Sequence, residues 1–222
     1  LPSPTHNHSL VSTQTGLLLI GVLVNGQPSS QVLGAGFTYD GRLEAWRPGP
    51  TALPQALWQH ASASSGGFVF VIGGSPTSNP NSATNQVLVA SPTADGRITS
   101  WLTTTPLPEA RTDAAAVAVG GFLYVIGGAG SDGTARANVY MAAIGSDGSL
   151  GTWTEIPALP APRRGLAAAI GMNEIMAVGG KAADGIPRRD VFRCKLADSN
   201  GGLTAWSVGN FPYDFYIWDH SI

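Results

Sequence analysis

Residues 114–128 read Ala-Ala-Ala-Val-Ala-Val-Gly-Gly-Phe-Leu-Tyr-Val-Ile-Gly-Gly. Two short apolar runs flank Gly120-Gly121, and glycine takes positive φ at little cost, so the stretch reads as two strands joined by a tight hairpin. The second run ends on another Gly-Gly, which would let the backbone pass close to a neighbour. The same ending recurs as Val71-Ile72-Gly73-Gly74 and Ala177-Val178-Gly179-Gly180, with a degenerate copy at Leu19-Ile20-Gly21-Val22. A second landmark, a turn followed by tryptophan, recurs independently. It appears as Asp40-Gly41 before Trp46, Asp95-Gly96 before Trp101, Asp147-Gly148 before Trp153 and Asn200-Gly201 before Trp206. These tryptophans stand 55, 52 and 53 residues apart, and the paired glycines keep the same stride. Two landmarks sharing one period define an internal repeat, present in four copies.

Within the third copy the pattern gives strands at Ala114 to Val119, Phe122 to Ile126 and Asn138 to Ile144. A fourth strand begins near Leu150 and carries Trp153, after the Asp147-Gly148 turn. The loops between second and third strands, Ser75 to Asn85, Ala129 to Ala137 and Lys181 to Arg189, are polar and unequal. Variable loops on a constant frame are where specificity is usually written. Four-stranded units at this period predict an all-β fold: one β-propeller domain over residues 1–222 with antiparallel blades near 5–53, 58–107, 111–159 and 164–210, and an aromatic tail at 211–222. Trp on the fourth strand is expected to cover the gap between blades.

Composition narrows the function classes. Charged residues make up only 12%, about half the usual share, so a chain disordered by self-repulsion is excluded. The net charge of -2 leaves no basic patch for nucleic acid. The chain has 29 Gly and 16 Pro against few helix-forming Glu and Lys, which argues against a helical protein. No apolar run is long and unbroken enough for a spanning helix. The single cysteine, Cys194, forbids an internal disulfide and cannot hold a metal alone. Few lysines, many Ser, Thr, Asn and Gly and little sulfur fit an exported bacterial protein, placed extracellularly, on the cell surface or in the periplasm. The chain opens with Leu1 and no charged-then-apolar leader, which reads as a processed or partial chain.

The units resemble the kelch repeat. They share its apolar first strand, its Tyr-Val-Ile-Gly-Gly second strand (Tyr124 to Gly128), its fourth-strand Trp and its Leu-Pro-x-x-Arg linker, here Leu107 to Arg111 and Leu159 to Arg163. The resemblance spans nearly the whole chain and is strongest from Gly66 to Gly180. Departures are Val22 for a glycine, and Leu57 and Thr5 where the arginine would stand. It implies a kelch-type propeller whose members mostly close with more than four blades, so missing blades, a partner that completes the ring or a continuation of the chain is expected. Open sheet edges would favour association.

Candidate site residues follow. The resemblance places Arg111, Arg163 and Arg164 on a rim that grips acidic peptides or sugars, a role suited to the planar bidentate guanidinium. The competing reading ties each arginine to a backbone carbonyl of the inter-blade loop. Trp58, Gln59 and Asp113 share that rim. His6 and His8 alternate on one strand, and His60 repeats the place of His8, so a shared metal is conceivable. The reading adopted is structural histidines, no metal and no cofactor. The Asp-Gly turns differ in spacing from sialidase Asp boxes, and only four glutamates are available for an acid pair. Cys194 lies away from any copper-radical constellation and is expected to be a packed or edge thiol. Phe211, Tyr213, Phe215, Tyr216 and Trp218 crowd the tail, either packed on their own propeller or docked on another subunit.

The function expected is a non-catalytic binding or scaffold propeller. It would mediate protein–protein interaction in an exported or membrane-associated bacterial assembly, with another protein, a larger complex or a second copy as neighbour. The alternatives are a carbohydrate-binding propeller using Trp58, and a galactose-oxidase-like or sugar-isomerase-like enzyme fragment with its active residues on blades elsewhere.

Overall fold

The computed structural model describes residues 8–21 and 23–210. His6 and the aromatic tail, Phe211, Tyr213, Phe215, Tyr216 and Trp218, therefore lie outside the described residues.

Blade 1 runs through β1 (Ser9–Ser12), β2 (Gly16–Ile20), the small hairpin β3 (Leu23–Val24) and β4 (Gln27–Pro28), then β5 (Val32–Gly36) and β6 (Arg47–Pro48). Blade 2 holds β7 (Ala61–Ser65), β8 (Phe68–Ile72), β9 (Val87–Ala90) and β10 (Leu102–Thr104). Blade 3 holds β11 (Ala115–Val119), β12 (Phe122–Ile126), β13 (Val139–Ala143) and β14 (Thr154–Ile156). Blade 4 holds β15 (Ala167–Gly171), β16 (Glu174–Val178), β17 (Asp190–Lys195) and β18 (Ser207–Asn210). Each blade is a four-stranded antiparallel meander in simple sequence order. The sole helical turn among the described residues is Pro80–Ser82, and no described helix is long and apolar enough to cross a membrane.

The first strands of successive blades lie side by side, β1 by β7, β7 by β11 and β11 by β15, so they face the propeller axis. The sheets bury their faces in three seams. Val11, Leu18 and Ile20 meet Val69, Val71 and Leu88 between blades 1 and 2. Phe70, Ile72 and Val89 meet Leu123, Val125 and Tyr140 between blades 2 and 3. Tyr124, Ile126 and Val139 meet Ile175, Ala177 and Phe192 between blades 3 and 4. The near-continuous apolar runs expected of strands with two buried faces are therefore present, as in Phe68–Ile72, Val87–Ala90 and Phe122–Ile126.

Paired glycines close these seams by backbone contact. A Cβ on Gly73 would lie 2.4 Å from the Arg111 carbonyl oxygen, and one on Gly127 would lie 2.6 Å from that of Arg163. The second glycine of each pair donates its N–H to the same carbonyl, Gly74 to Arg111 at 2.7 Å and Gly128 to Arg163 at 2.8 Å. The hairpin reading also holds, since Gly120 and Gly121 both have positive φ. In blade 4 the same turn is Met172-Asn173, again left-handed, though nothing in the sequence marks it.

One expectation needs correction. Trp153 precedes β14 rather than sitting in it, and Leu150 pairs with Ile144 only as an isolated bridge. The chain leaves the ladder there so that the indole can turn into the seam, where Trp153 Nε1 donates to the Thr105 carbonyl of blade 2 at 3.0 Å. Trp206 repeats this onto Pro157 of blade 3 at 2.8 Å. In blades 3 and 4 the tryptophan thus fastens the blade to the linker of the one before it, whereas Trp101 Nε1 of blade 2 is buried without an acceptor.

Candidate functional site

The strand-entry end of the propeller gathers most of the residues that the sequence singles out. Just before each first strand the chain crosses the segment that follows the paired glycines. Trp58 bridges to Ser75, Thr112 to Ala129 and Arg164 to Lys181. The next residues, Gln59, Asp113 and Gly165, all adopt left-handed backbone, with φ of 53°, 51° and 60°. They are linked around the axis: Asp113 N–H donates to Gln59 O at 2.9 Å, and Gly165 N–H to Asp113 O at 2.8 Å. Gln59 Nε2 also donates to Asp113 Oδ2 at 3.1 Å. Two non-glycine residues held left-handed store strain that the surrounding hydrogen bonds must offset. Trp58 is half-buried and its indole N–H is donated to the Thr77 carbonyl, which fixes the loop beside it.

The three rim arginines separate. Arg111 is 1% exposed and Arg163 is 4% exposed, so neither forms part of an open rim. The Arg111 guanidinium lies 5.5 Å from the centre of the Tyr140 ring, with Glu109 Oε2 3.1 Å from Nη2 and no acceptor for Nε or Nη1. Burial pulls its pKa down from the ordinary arginine value, and Glu109 opposes that shift. Arg163 stacks on Phe192 at 5.0 Å, pairs with Asp190 and donates to Pro162 O. Both arginines are seam fasteners that use cation–π contact. Arg164 alone is left half-buried on the rim, and its guanidinium carries no ion pair among the described residues.

A signal within the repeats could have separated these roles. Where blade 2 has Leu57 in place of the arginine, its third strand has Leu88 in place of Tyr140 or Phe192. The arginine and the aromatic change together, which marks them as partners in one seam. Sequence reading also passed over a loop motif, Asp132-Gly133-Thr134-Ala135-Arg136 and Asp184-Gly185-Ile186-Pro187-Arg188. In each, the aspartate accepts the backbone N–H two residues on and pairs with the arginine four residues on, Arg136 Nη2 to Asp132 Oδ2 at 3.0 Å. Those hydrogen bonds hold Asp132 and Asp184 below the usual carboxylate range. The blade 2 loop replaces the clamp by an uncharged turn at Asn79, Pro80 and Asn81.

His60 is fully packed beneath the rim. Its pKa falls to about 4 through burial, slightly opposed by the Ile20 backbone, and both ring nitrogens lie out of hydrogen-bond geometry. A Cβ on Gly21 would lie 2.6 Å from its Cε1. His8 is half-buried at the start of blade 1, and no three His, Cys, Asp or Glu side chains come together among the described residues. Cys194 is buried in the seam between blades 3 and 4, as a packed thiol, where burial pushes it up to about 12. Asp147 and Asp95 serve their own turns: Asp147 Oδ1 accepts from the N–H of Ser149 at 3.0 Å, and Asp95 Oδ2 accepts from Arg97 Nε at 2.7 Å.

No family model matches the sequence. Human Kelch-like protein 34 is 35% identical over 141 residues, covering 61% of this chain and 21% of the human protein. The chain thus matches only about a fifth of that relative. The solved structure of YjhT superposes with a TM-score of 0.75 over 98% of this chain and 68% of its own, at 15% identity, which speaks for the fold alone. The repeated strand-Gly-Gly and turn-Trp units and the four meander blades give this chain the fold of a kelch-type β-propeller, with sequence similarity to a kelch-like protein over 61% of its length.

Proposed function

We propose that the chain is a non-catalytic binding module that holds another protein at the strand-entry end, through an acidic segment of that partner. The observation that carries this reading is Arg164, the one rim arginine not consumed in a seam, set opposite Lys181 at the mouth between the loops of blades 3 and 4. A half-buried guanidinium with no resident carboxylate can bind one bidentately. The clamped loops at Asp132–Arg136 and Asp184–Arg188 support it as a pre-shaped wall with little ordering cost. The similarity to Kelch-like protein 34 supports interaction rather than catalysis. An exported location stays part of the proposal, on the composition of the chain.

A peptide array tests it. Acidic peptides are expected to be retained over their alanine-substituted versions, and Arg164→Glu is expected to abolish retention while leaving Tm within about 2 °C, since the side chain fills no seam. Equal retention of acidic and neutral peptides, or hits confined to a glycan array, would overturn the reading in favour of a carbohydrate ligand or none.

A further inference from the structure

The turn between third and fourth strands repeats in all four blades, and its blade 4 copy differs in chemistry. It reads Asp40-Gly41, Asp95-Gly96 and Asp147-Gly148 in blades 1 to 3 and Asn200-Gly201 in blade 4. In the first three the glycine N–H closes the turn on a backbone carbonyl. Gly41 donates to Thr38 O at 2.9 Å, Gly96 to Thr93 O at 2.8 Å and Gly148 to Gly145 O at 3.0 Å. In blade 4 a side chain takes over the closure. Asp198 Oδ1 accepts the N–H of Asn200 at 2.9 Å and that of Gly202 at 3.0 Å, and the Gly201 N–H between them has no acceptor among the described residues. Asn200 is exposed, whereas Gly201 is buried on blade 3. A Cβ on Gly201 would lie 2.5 Å from Met141 Sδ and 2.7 Å from the Phe122 ring, and its carbonyl accepts the Tyr124 hydroxyl at 2.9 Å. Tyr124 is 0% exposed, and burial pushes its pKa up to about 12, so the phenol remains a donor that needs this acceptor.

We propose that Asn200-Gly201 is a spontaneous deamidation site whose isoaspartate product loosens the seam between blades 3 and 4. The unengaged Gly201 nitrogen attacks Asn200 Cγ and gives its proton to solvent base. The bond from Cγ to the side-chain nitrogen breaks, ammonia leaves, and a cyclic succinimide remains for water to open at either carbonyl. Glycine has no side chain to hinder that attack, and asparagine is among the residues that heat destroys. Opening at one carbonyl gives aspartate on an ordinary backbone, the residue that the other three turns carry. Opening at the other gives isoaspartate, which routes the main chain through Cβ and adds a carbon immediately before the seated glycine. Gly201 cannot then keep both its seat on Phe122 and Met141 and its bond from Tyr124. A buried hydroxyl stripped of its acceptor destabilises the fold. A second Asn-Gly pair, Asn25-Gly26, lies at the tip of the β3–β4 hairpin, where a Cβ on Gly26 would meet nothing within 4 Å. The same reaction there touches no seam and serves as an internal reference.

The test ages the full chain in mildly alkaline buffer, which favours the deprotonated nitrogen. Asn200 and Asn25 are followed by peptide mass spectrometry with enzymatic methylation of isoaspartate, and Tm is read on the same samples. Asn200 is expected to convert, and a second transition about 4 °C or more below the first is expected to grow in proportion to its isoaspartate. Fresh Asn200→Asp is expected to melt within about 2 °C of the parent chain. Aged Asn200→Ser keeps a turn-forming residue that cannot cyclise, and it is expected to show a single transition even after Asn25 has converted. Asn200 left intact when Asn25 has converted overturns the proposal. So does isoaspartate at Asn200 with Tm unchanged, or the lower transition appearing in aged Asn200→Ser. Fresh Asn200→Asp melting as low as the aged chain overturns it too, because the cost would then lie in the charge and not in the lengthened backbone.

Discussion

The seam between blades 1 and 2 and the seam between blades 2 and 3 join the same kind of sheets by different chemistry. In the first, the incoming turn at Asp95-Gly96 rests on backbone. A Cβ on Gly34 would lie 2.9 Å from the Gly96 carbonyl oxygen, and one on Gly36 would lie 3.3 Å from that of Asp95. Leu57 and Leu88 fill the place beneath the linker, and near the axis Ser62 bonds Ser9 while Ser64 donates to Ser12 O at 2.6 Å. In the second, the turn rests on the Phe68 ring, Arg111 stacks on Tyr140, and alanines replace the axial serines. Small groups bring the sheets close enough for backbone contact, and large ones hold them apart with rings. Blade geometry is therefore fixed by the sum of volumes across a seam rather than by any one residue type, as interior packing density requires.

The strongest way to break the second seam is Trp153→Ala, which removes both the ring and the bond to Thr105 O. It is expected to cost about 3–5 kcal/mol by denaturant titration, with Trp101→Ala costing less, because Trp101 Nε1 has no acceptor to lose. A cost for Trp101 equal to or above that for Trp153 would contradict the fastening role. The first seam alone should titrate. His60 has a folded pKa of about 4 against 6.5 unfolded, so the unfolded chain binds more protons between those values. Its contribution is complete above about pH 6.5 and is lost as pH falls toward 4, by at most about 3 kcal/mol. Denaturation at pH 7.5 and 4.5 should show that loss, and His60→Asn should flatten it.

Exchanging chemistries sharpens the comparison further. Arg111→Leu with Tyr140→Leu copies blade 2 into blade 3 and should leave stability within about 1–2 kcal/mol, since a buried guanidinium with two unsatisfied donors is replaced by apolar volume. Arg163→Leu alone should cost about 2 kcal/mol, because it removes a buried guanidinium from its ion pair with Asp190 and its stack on Phe192. If the double swap proves the more damaging, the stacked arginines are worth more than the leucine pair. The smallest effect belongs to Ser64→Ala, about 1 kcal/mol from one hydrogen bond at the axis, measured the same way.

The strands, the hairpin glycines and the fastening tryptophans were all legible, because each is a local signal repeated at one period. Met172-Asn173 was not read as a left-handed turn: Asn173 tolerates positive φ, but Met172 gives no sign of it, and the register of β15 and β16 imposes it. The rim was read less well than the fold. Arg111, Arg163 and Arg164 are alike in sequence, and only their depth separates two seam fasteners from one half-buried rim cation. The Asp-Gly-x-x-Arg clamps were present to be found, but their meaning required seeing the aspartate turn back on its own loop.

The amino-acid order by itself determined the blade: short apolar runs and turn chemistry act between near neighbours, and a period shared by two landmarks leaves one architecture. Which polar groups face water and which lie between sheets was decided only by the stacking of one blade on the next. The environments of Arg111 and His60 are supplied by Tyr140 and Gly21, 29 and 39 positions away, and burial is a property of that contact rather than of the residue.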